Sequence, residues 1–221
     1  MYNLAEGLPI ETVTEIQPGT SLLIAGPAMS GKPDLALDLL APGLDGGNGL
    51  LLVTTNETAT AYLDRLERRV TELDQNRVGI VDCSGSSQQG ASPNLAIQRV
   101  SSPGDLTGIS IGTAKLMKQF THKDITSVRH GLISISTLLQ YLDLHTVFKF
   151  LHIYTTRITD TQGMGLFTID DDSHDPQTIN TLSNEFDGIV ELRETETGER
   201  EIRLRGLADA SNTWEPFNSE T

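Results

Sequence analysis

The sequence predicts an α/β fold in three layers: a mostly parallel sheet covered by helices on both faces, with an antiparallel hairpin at one edge. Three observations carry this expectation. Apolar runs of strand length alternate with segments whose apolar residues recur at spacings of three and four. The runs are continuous rather than alternating, as strands buried on both faces require. Late in the chain the pattern changes to two strand-like segments flanking Glu194-Thr195-Glu196-Thr197-Gly198-Glu199, a polar stretch with a glycine that reads as a hairpin turn. The 221 residues suit one domain, with a core over about 20–207 and a tail over about 208–221. A chain of this length buries a full core without disulfides.

The elements follow in order. SLLIAG at 21–26 is an apolar run ending in glycine, and 34–40 is a helix with Leu35, Leu39 and Leu40 on one face, stopped by Pro42-Gly43. GLLLVT at 49–54 is a second strand, followed by a helix over 59–73 carried by Leu63, Leu66, Val70 and Leu73. Residues 78–81 form a third strand, and 105–120 a helix with Leu106, Ile109, Met117 and Phe120 inward. A fourth strand is expected at 132–135, a helix over 144–158, a fifth strand at 166–169 and a short helix around Ile179, Leu182 and Phe186. Segments 188–192 and 201–204 are the hairpin, and Trp214 and Phe217 are the tail's docking residues. The stretch 84–104, rich in Gly, Ser and Gln with two prolines, is expected to be a mobile insertion.

Composition narrows the function classes. There are 16 basic and 30 acidic side chains, giving a net charge of −14. Such a chain is a poor ligand for phosphate backbones unless a basic patch exists, and Arg65/Arg68/Arg69 and Arg200/Arg203/Arg205 are both interleaved with acids, so nucleic acid is not an expected partner. Few lysines, many carboxylates and abundant threonine fit a proteome adapted to high salt. No apolar stretch reaches the roughly 18–20 residues of a membrane helix, and the first residues carry no basic leader. Together with the lone Cys83, this leads us to expect a cytoplasmic protein.

One motif carries chemistry. Gly26-Pro27-Ala28-Met29-Ser30-Gly31-Lys32-Pro33 fits G-x-x-x-x-G-K between a buried strand and a helix. In that setting successive backbone N–H groups and the helix N-terminus face one point, an anion cradle from which Lys32 reaches β- and γ-phosphates. The next position, where a Ser or Thr hydroxyl holds Mg²⁺, is Pro33, which has neither a hydroxyl nor an N–H. Proline suits the first turn of a helix, so the fold keeps its shape while the metal ligand is lost. A carboxylate that reaches Mg²⁺ is expected at the end of a later apolar strand. There His130-Gly131-Leu132-Ile133-Ser134-Ile135-Ser136-Thr137 has only serines.

This ordered set resembles the RecA superfamily, specifically its KaiC-like branch, and within it a haloarchaeal group of small RecA-superfamily ATPase-like proteins associated with signal transduction. The resemblance runs from about Thr20 to Phe217 and implies a RecA-like P-loop NTPase fold. It identifies Gly26–Lys32 with the nucleotide-binding loop. It also aligns Asn56-Glu57 with a glutamate pair that activates water, leaving Glu57 as the surviving candidate catalytic base. Ser136 best matches the family's metal-binding Asp, a degenerate position. Arg203 and Arg205, in Arg203-Leu204-Arg205-Gly206, match a Lys-x-Arg-Gly element that reaches the nucleotide of a neighbouring subunit. What the resemblance implies is a regulatory pseudo-ATPase that binds ATP weakly or not at all, does not depend on Mg²⁺, and acts through protein partners in homo- or hetero-oligomers. Two alternatives stand beside it: an active ATPase with an atypical metal site, and a nucleotide-free interaction module.

Elsewhere the residues read as structural. Asp170-Asp171-Asp172 with His174 and Asp175 lacks calcium-loop spacing and reads as a solvated acidic loop. The five histidines show no zinc spacing, Gly163-Met164-Gly165 is too sparse for a dinucleotide loop, and no Ser/His/Asp triad is visible along the chain.

Overall fold

A computed structural model describes residues 1–4, 15–85, 95–208 and 210–217. Its strands are β1 (Tyr2–Asn3), β2 (Glu15–Ile16), β3 (Ser21–Gly26), β4 (Gly49–Thr54), β5 (Val78–Asp82), β6 (Ala96–Arg99), β7 (Val128–Ile133), β8 (Met164–Asp170), β9 (Gly188–Glu194), β10 (Arg200–Arg205) and β11 (Glu215–Pro216). The helices are α1 (Lys32–Leu40), α2 (Pro42–Asp45), α3 (Ala59–Glu67), α4 (Leu106–His122), α5 (Ile135–Tyr141), α6 (Leu144–Asp160) and α7 (Pro176–Ser183).

Nine strands form one sheet in the order β11-β10-β9-β3-β8-β7-β4-β5-β6. From β9 to β6 every pairing is parallel, and β10 and β11 add antiparallel at the other edge. This is the α/β architecture the sequence predicts, with its C-terminal hairpin in place. β3, β4 and β7 are buried along their whole length, which is why β3 and β4 read as nearly unbroken apolar runs.

Two apolar clusters lie on opposite faces of the sheet. One joins α1, α2 and α3 to Leu22, Ile24, Leu50 and Leu52, and takes in Tyr2 and Leu4 from the N-terminal segment. The other joins α4, α5, α6 and α7 to Leu23, Ala25, Leu51 and Val53. α7 is lightly held, since Leu182 is its one buried residue. Helix starts are specified by capping side chains: Thr58, Asp105, Ser134, Asp143 and Asp175 each accept a backbone N–H from the first turn they open.

Three expectations need correction. The fourth strand is Val128–Ile133, not 132–135. Arg129 and His130 broke its apolar pattern, yet both are buried: the Arg129 guanidinium donates to the Leu39 carbonyl at 2.6 Å and to Asn48 Oδ1 at 3.2 Å. The helix expected over 59–73 ends at Glu67. The stretch 84–104 contains a strand, β6, paired parallel with β5, while residues 86–94 lie outside the described residues. The tail docks through Phe217 as the sequence suggests, and also adds β11 to β10.

Candidate functional site

The glycine-rich turn sits at the end of β3, an interior strand, and opens α1. Gly26 closes β3 where an added Cβ would lie 2.9 Å from Leu192 Cβ and 3.0 Å from the Leu192 carbonyl oxygen, so any side chain there would collide with β9. Gly31 has φ +87°, the left-handed region that favours glycine, and its carbonyl accepts the Leu35 N–H at 3.0 Å to begin the helix. Pro33 falls in the first turn of α1, where a missing N–H breaks no helix bond. Pro27 and Ser30 are partly exposed and Ala28 is exposed; Met29, with φ 60°, is 95% exposed at the tip.

Lys32 is turned into this loop and is 3% exposed. Its ammonium donates to the Gly26 carbonyl at 2.9 Å, to the Pro27 carbonyl, and to Ser30 Oγ at 3.2 Å. It also pairs with Asp170 Oδ1 at 2.8 Å. A second carboxylate from the same segment, Asp172, accepts the Ala28 N–H at 3.0 Å. The cause is register. β3 and β8 run parallel with Gly26 opposite Asp170, so the acidic residues that follow β8 emerge directly beside the loop. Between them, the Asp171 carboxyl is pushed above the usual carboxylate range by burial, against the pull of Lys32 and with the push of Asp172. Asp170 thus holds the lysine of the loop and Asp172 its Ala28 N–H, two donors of the kind a phosphate would use.

Ser136 is not on a strand. β7 ends at Ile133, Ser134 caps α5 through its hydroxyl, and Ser136 lies in the first turn of that helix. Its hydroxyl accepts the Asp170 N–H and meets His174 Nε2, both at 2.9 Å. The strand-terminal position is the buried, apolar Ile133. Alternation of Ile and Ser at 133–136 read as strand continuation, whereas the Ser134 cap had already ended it. Asp170 and His174, read from the sequence as part of a solvated acidic loop, are instead engaged with Lys32 and Ser136. The available signal was an acidic run directly after an apolar run as long as that of β3.

Glu57 lies in the turn between β4 and α3 and pairs with Arg65 at 3.1 Å. Arg65 also holds Asp34 at 2.7 Å, and Arg69 holds Asp34 at 2.8 Å and Asp38 at 2.6 Å. Burial works against ionisation of Asp34, but the two guanidiniums outweigh it and keep its carboxyl below the usual range. The group expected as a catalytic base therefore belongs to a brace between α1 and α3. Arg203 and Arg205 both hold Glu191, at 2.5 and 2.7 Å, and Arg203 stacks on Trp214 with its guanidinium carbon 4.4 Å from the ring centre. Arg193 covers the same ring at 4.0 Å. The expected trans-acting arginines are engaged within the chain.

The residues beside the loop do not fit the Mg²⁺ that the fold family implies. Pro33 offers no hydroxyl and Ile133 no carboxylate, so the two oxygen ligands expected for Mg²⁺ beside the loop are missing. Among the described residues, no three His, Cys, Asp or Glu side chains come together as metal ligands would, and no helix is long and apolar enough to cross a membrane.

The model of DUF7504, a family of unknown function, matches residues 19–192, from the approach to β3 through β9. The chain is a member of DUF7504. The span takes in the glycine-rich loop, the β8 acidic segment and Ser136, so the arrangement above lies within the family's own region. No curated protein matches this DUF7504 chain. Among solved structures, a KaiC-like protein from the hyperthermophilic archaeon Pyrococcus horikoshii OT3 is similar, with a TM-score of 0.68 and 15% identity, covering 98% of this chain and 94% of that one. At that identity the likeness is one of fold, and it places this DUF7504 member among KaiC-like, RecA-type α/β structures.

Proposed function

We propose that this DUF7504 protein is a KaiC-like regulatory protein derived from P-loop ATPases. In this reading it binds ATP weakly, does not hydrolyse it, and acts in signalling or regulation through protein partners, as a homo- or hetero-oligomer in a haloarchaeal cytoplasm. One observation carries the reading. Lys32 is already neutralised by Asp170, and the Ala28 N–H is already taken by Asp172. A triphosphate must displace carboxylates of the chain itself, and it gains no metal bridge from Pro33 or Ile133 in return. The binding residues are Gly26 to Pro33. Glu57, which would have to activate water in a hydrolase, is drawn to Arg65 instead. The same internal pairing of Lys32 favours a second reading, an interaction module that holds no nucleotide.

Isothermal titration with ATP and ADP, with and without Mg²⁺, combined with a phosphate-release assay at high salt, separates the readings. Weak saturable binding without turnover supports the first, and no heat and no thermal shift support the second. Brisk Mg²⁺-dependent turnover abolished by Lys32→Ala would overturn both.

A further inference from the structure

The helical layer of α4, α5 and α6 differs in charge from the rest of the chain. In a protein with 30 acidic residues, α4 contains no Asp or Glu, α5 contains no charged residue, and α6 contains only Asp160 at its last position. Four cations lie on α4 and α6: Lys115, Lys118, Lys149 and Arg157. None is within ion-pairing distance of a carboxylate among the described residues, whereas Arg65, Arg69, Arg77, Arg193, Arg203 and Arg205 all are. The two acids at the start of the layer, Asp105 and Asp143, are committed to capping, accepting the Gly108 N–H at 2.8 Å and the Thr146 N–H at 3.0 Å.

Between α4 and α6 runs an open, mainly apolar groove. Ile111 and Ile153, 51% and 61% exposed, stand along it, with Phe150 in the lining and Lys149 and Arg157 among its residues. The lining residues on α6 (Thr146, Lys149, Phe150, Ile153, Arg157) and on α4 (Thr107, Ser110, Ile111, Ala114) follow helical spacing, so each wall is one stripe of its helix. The α6 stripe, from 146 to 157, covers three turns, roughly 16 Å at about 1.5 Å per residue.

We infer that this groove is a docking site for an acidic amphipathic helix of a partner protein. A concave apolar channel of two to three turns accepts a helix through residues at i, i+3, i+4 and i+7. The two cations in its lining, Lys149 and Arg157, select acidic flanks on that helix, in a chain whose net charge of −14 would otherwise repel them. A two-fold contact with a second copy through α6 would set Lys149 and Arg157 against like charges. A flat bilayer or a duplex does not fill a channel lined with isoleucine and phenylalanine.

The probe is a fluorescein-labelled helical peptide of about fourteen residues, with leucine at i, i+3, i+4 and i+7 and glutamate elsewhere, titrated with the full chain by anisotropy. A twin carrying lysine for glutamate and a twin carrying serine for leucine are the controls. Saturable binding of the acidic peptide, weaker by about tenfold or more for each twin, is expected. Ile111→Ser with Ile153→Ser should weaken it by about the same factor, and Lys149→Glu with Arg157→Glu should shift preference to the lysine twin. These are surface positions, and unchanged circular dichroism together with peptide-induced hydrogen-exchange protection confined to α4 and α6 checks each variant. Absence of saturable binding, equal binding of the lysine twin, or insensitivity to both double variants overturns the inference. So does a self-association in sedimentation, or binding to phosphatidylglycerol vesicles or duplex DNA, that the groove variants abolish while the acidic peptide does not compete.

Discussion

Replacing Asp170 with asparagine isolates the internal competitor for the anion cradle. Asp170→Asn keeps the shape and the backbone N–H that reaches Ser136, and removes only the ionised carboxylate 2.8 Å from Lys32. In the wild-type chain, a phosphate must break that charge-assisted contact before Lys32 can turn to it. Hydrogen bonds to charged groups contribute about 1.5–3 kcal/mol. Asp170 is 30% exposed, which places the contact toward the lower half of that range. At about 1.4 kcal/mol per decade, ATP should bind Asp170→Asn about ten- to thirtyfold more tightly. The Asp172→Asn variant frees only the Ala28 N–H, a neutral donor at an exposed position, and should gain about two- to fivefold. Titration calorimetry with ATP and with pyrophosphate measures both. Ligand-free Asp170→Asn should also melt lower than wild type, because the buried ammonium loses its counter-charge, so affinity and stability move in opposite directions. Unchanged or weaker ATP binding in Asp170→Asn would refute the reasoning, since the carboxylate would then be assisting the ligand rather than excluding it.

Three further outcomes follow from buried groups. His130 is fully buried, and burial pushes its imidazole down to about 4 from 6.5. The unfolded chain therefore takes up this proton first, and stability falls as pH drops from about 6.5 toward about 4. The loss between pH 7 and 4.5 is on the order of 2–3 kcal/mol, and urea unfolding of wild type against His130→Phe should show the difference vanish in the variant. Cys83 is 1% exposed and burial pushes its thiol up to about 12, so a disulfide reagent at pH 8 should leave it unmodified until denaturant is added. Trp214 is the sole tryptophan and lies against two guanidiniums, so its emission reports tail docking; Arg193→Ala and Arg203→Ala should each shift it to the red.

What the sequence made legible, and what it hid, divides along physical lines. Continuous burial leaves an unmistakable trace, so the strands around the glycine-rich loop and the hairpin beyond them could be read directly. The loop itself was legible because glycine, glycine and lysine at fixed spacing serve one backbone path. β6 was hidden because Ala-Ile-Gln-Arg on a sheet edge is only partly buried and sits beside Gly- and Ser-rich chain. β7 was misplaced because a buried arginine and a buried neutral histidine look like surface residues until their surroundings are known. The short β1–β2 pair is too brief to carry any period. At the candidate site the loop residues were legible and their occupancy was not. Which acids reach Lys32 depends on the register of β3 against β8, and register is a property of two strands separated by most of the chain. In the same way, Glu57 and the two hairpin arginines were named as chemistry-bearing residues, but their partners Arg65 and Glu191 come from packing.

α7 gives this arrangement an unexpected fragility. The acidic segment that holds Lys32 and the Ala28 N–H is followed by a helix that packs on the core through Leu182 and the half-buried Ile179. Truncating a buried leucine costs about 2–5 kcal/mol, a large fraction of what keeps so short a helix in place. A contact that tugged on α7 from outside could thus loosen the Asp170 and Asp172 contacts some distance away, with no change in β3. Whether Lys32 stays paired would then be decided at the molecule's periphery, by a few apolar side chains of a short helix.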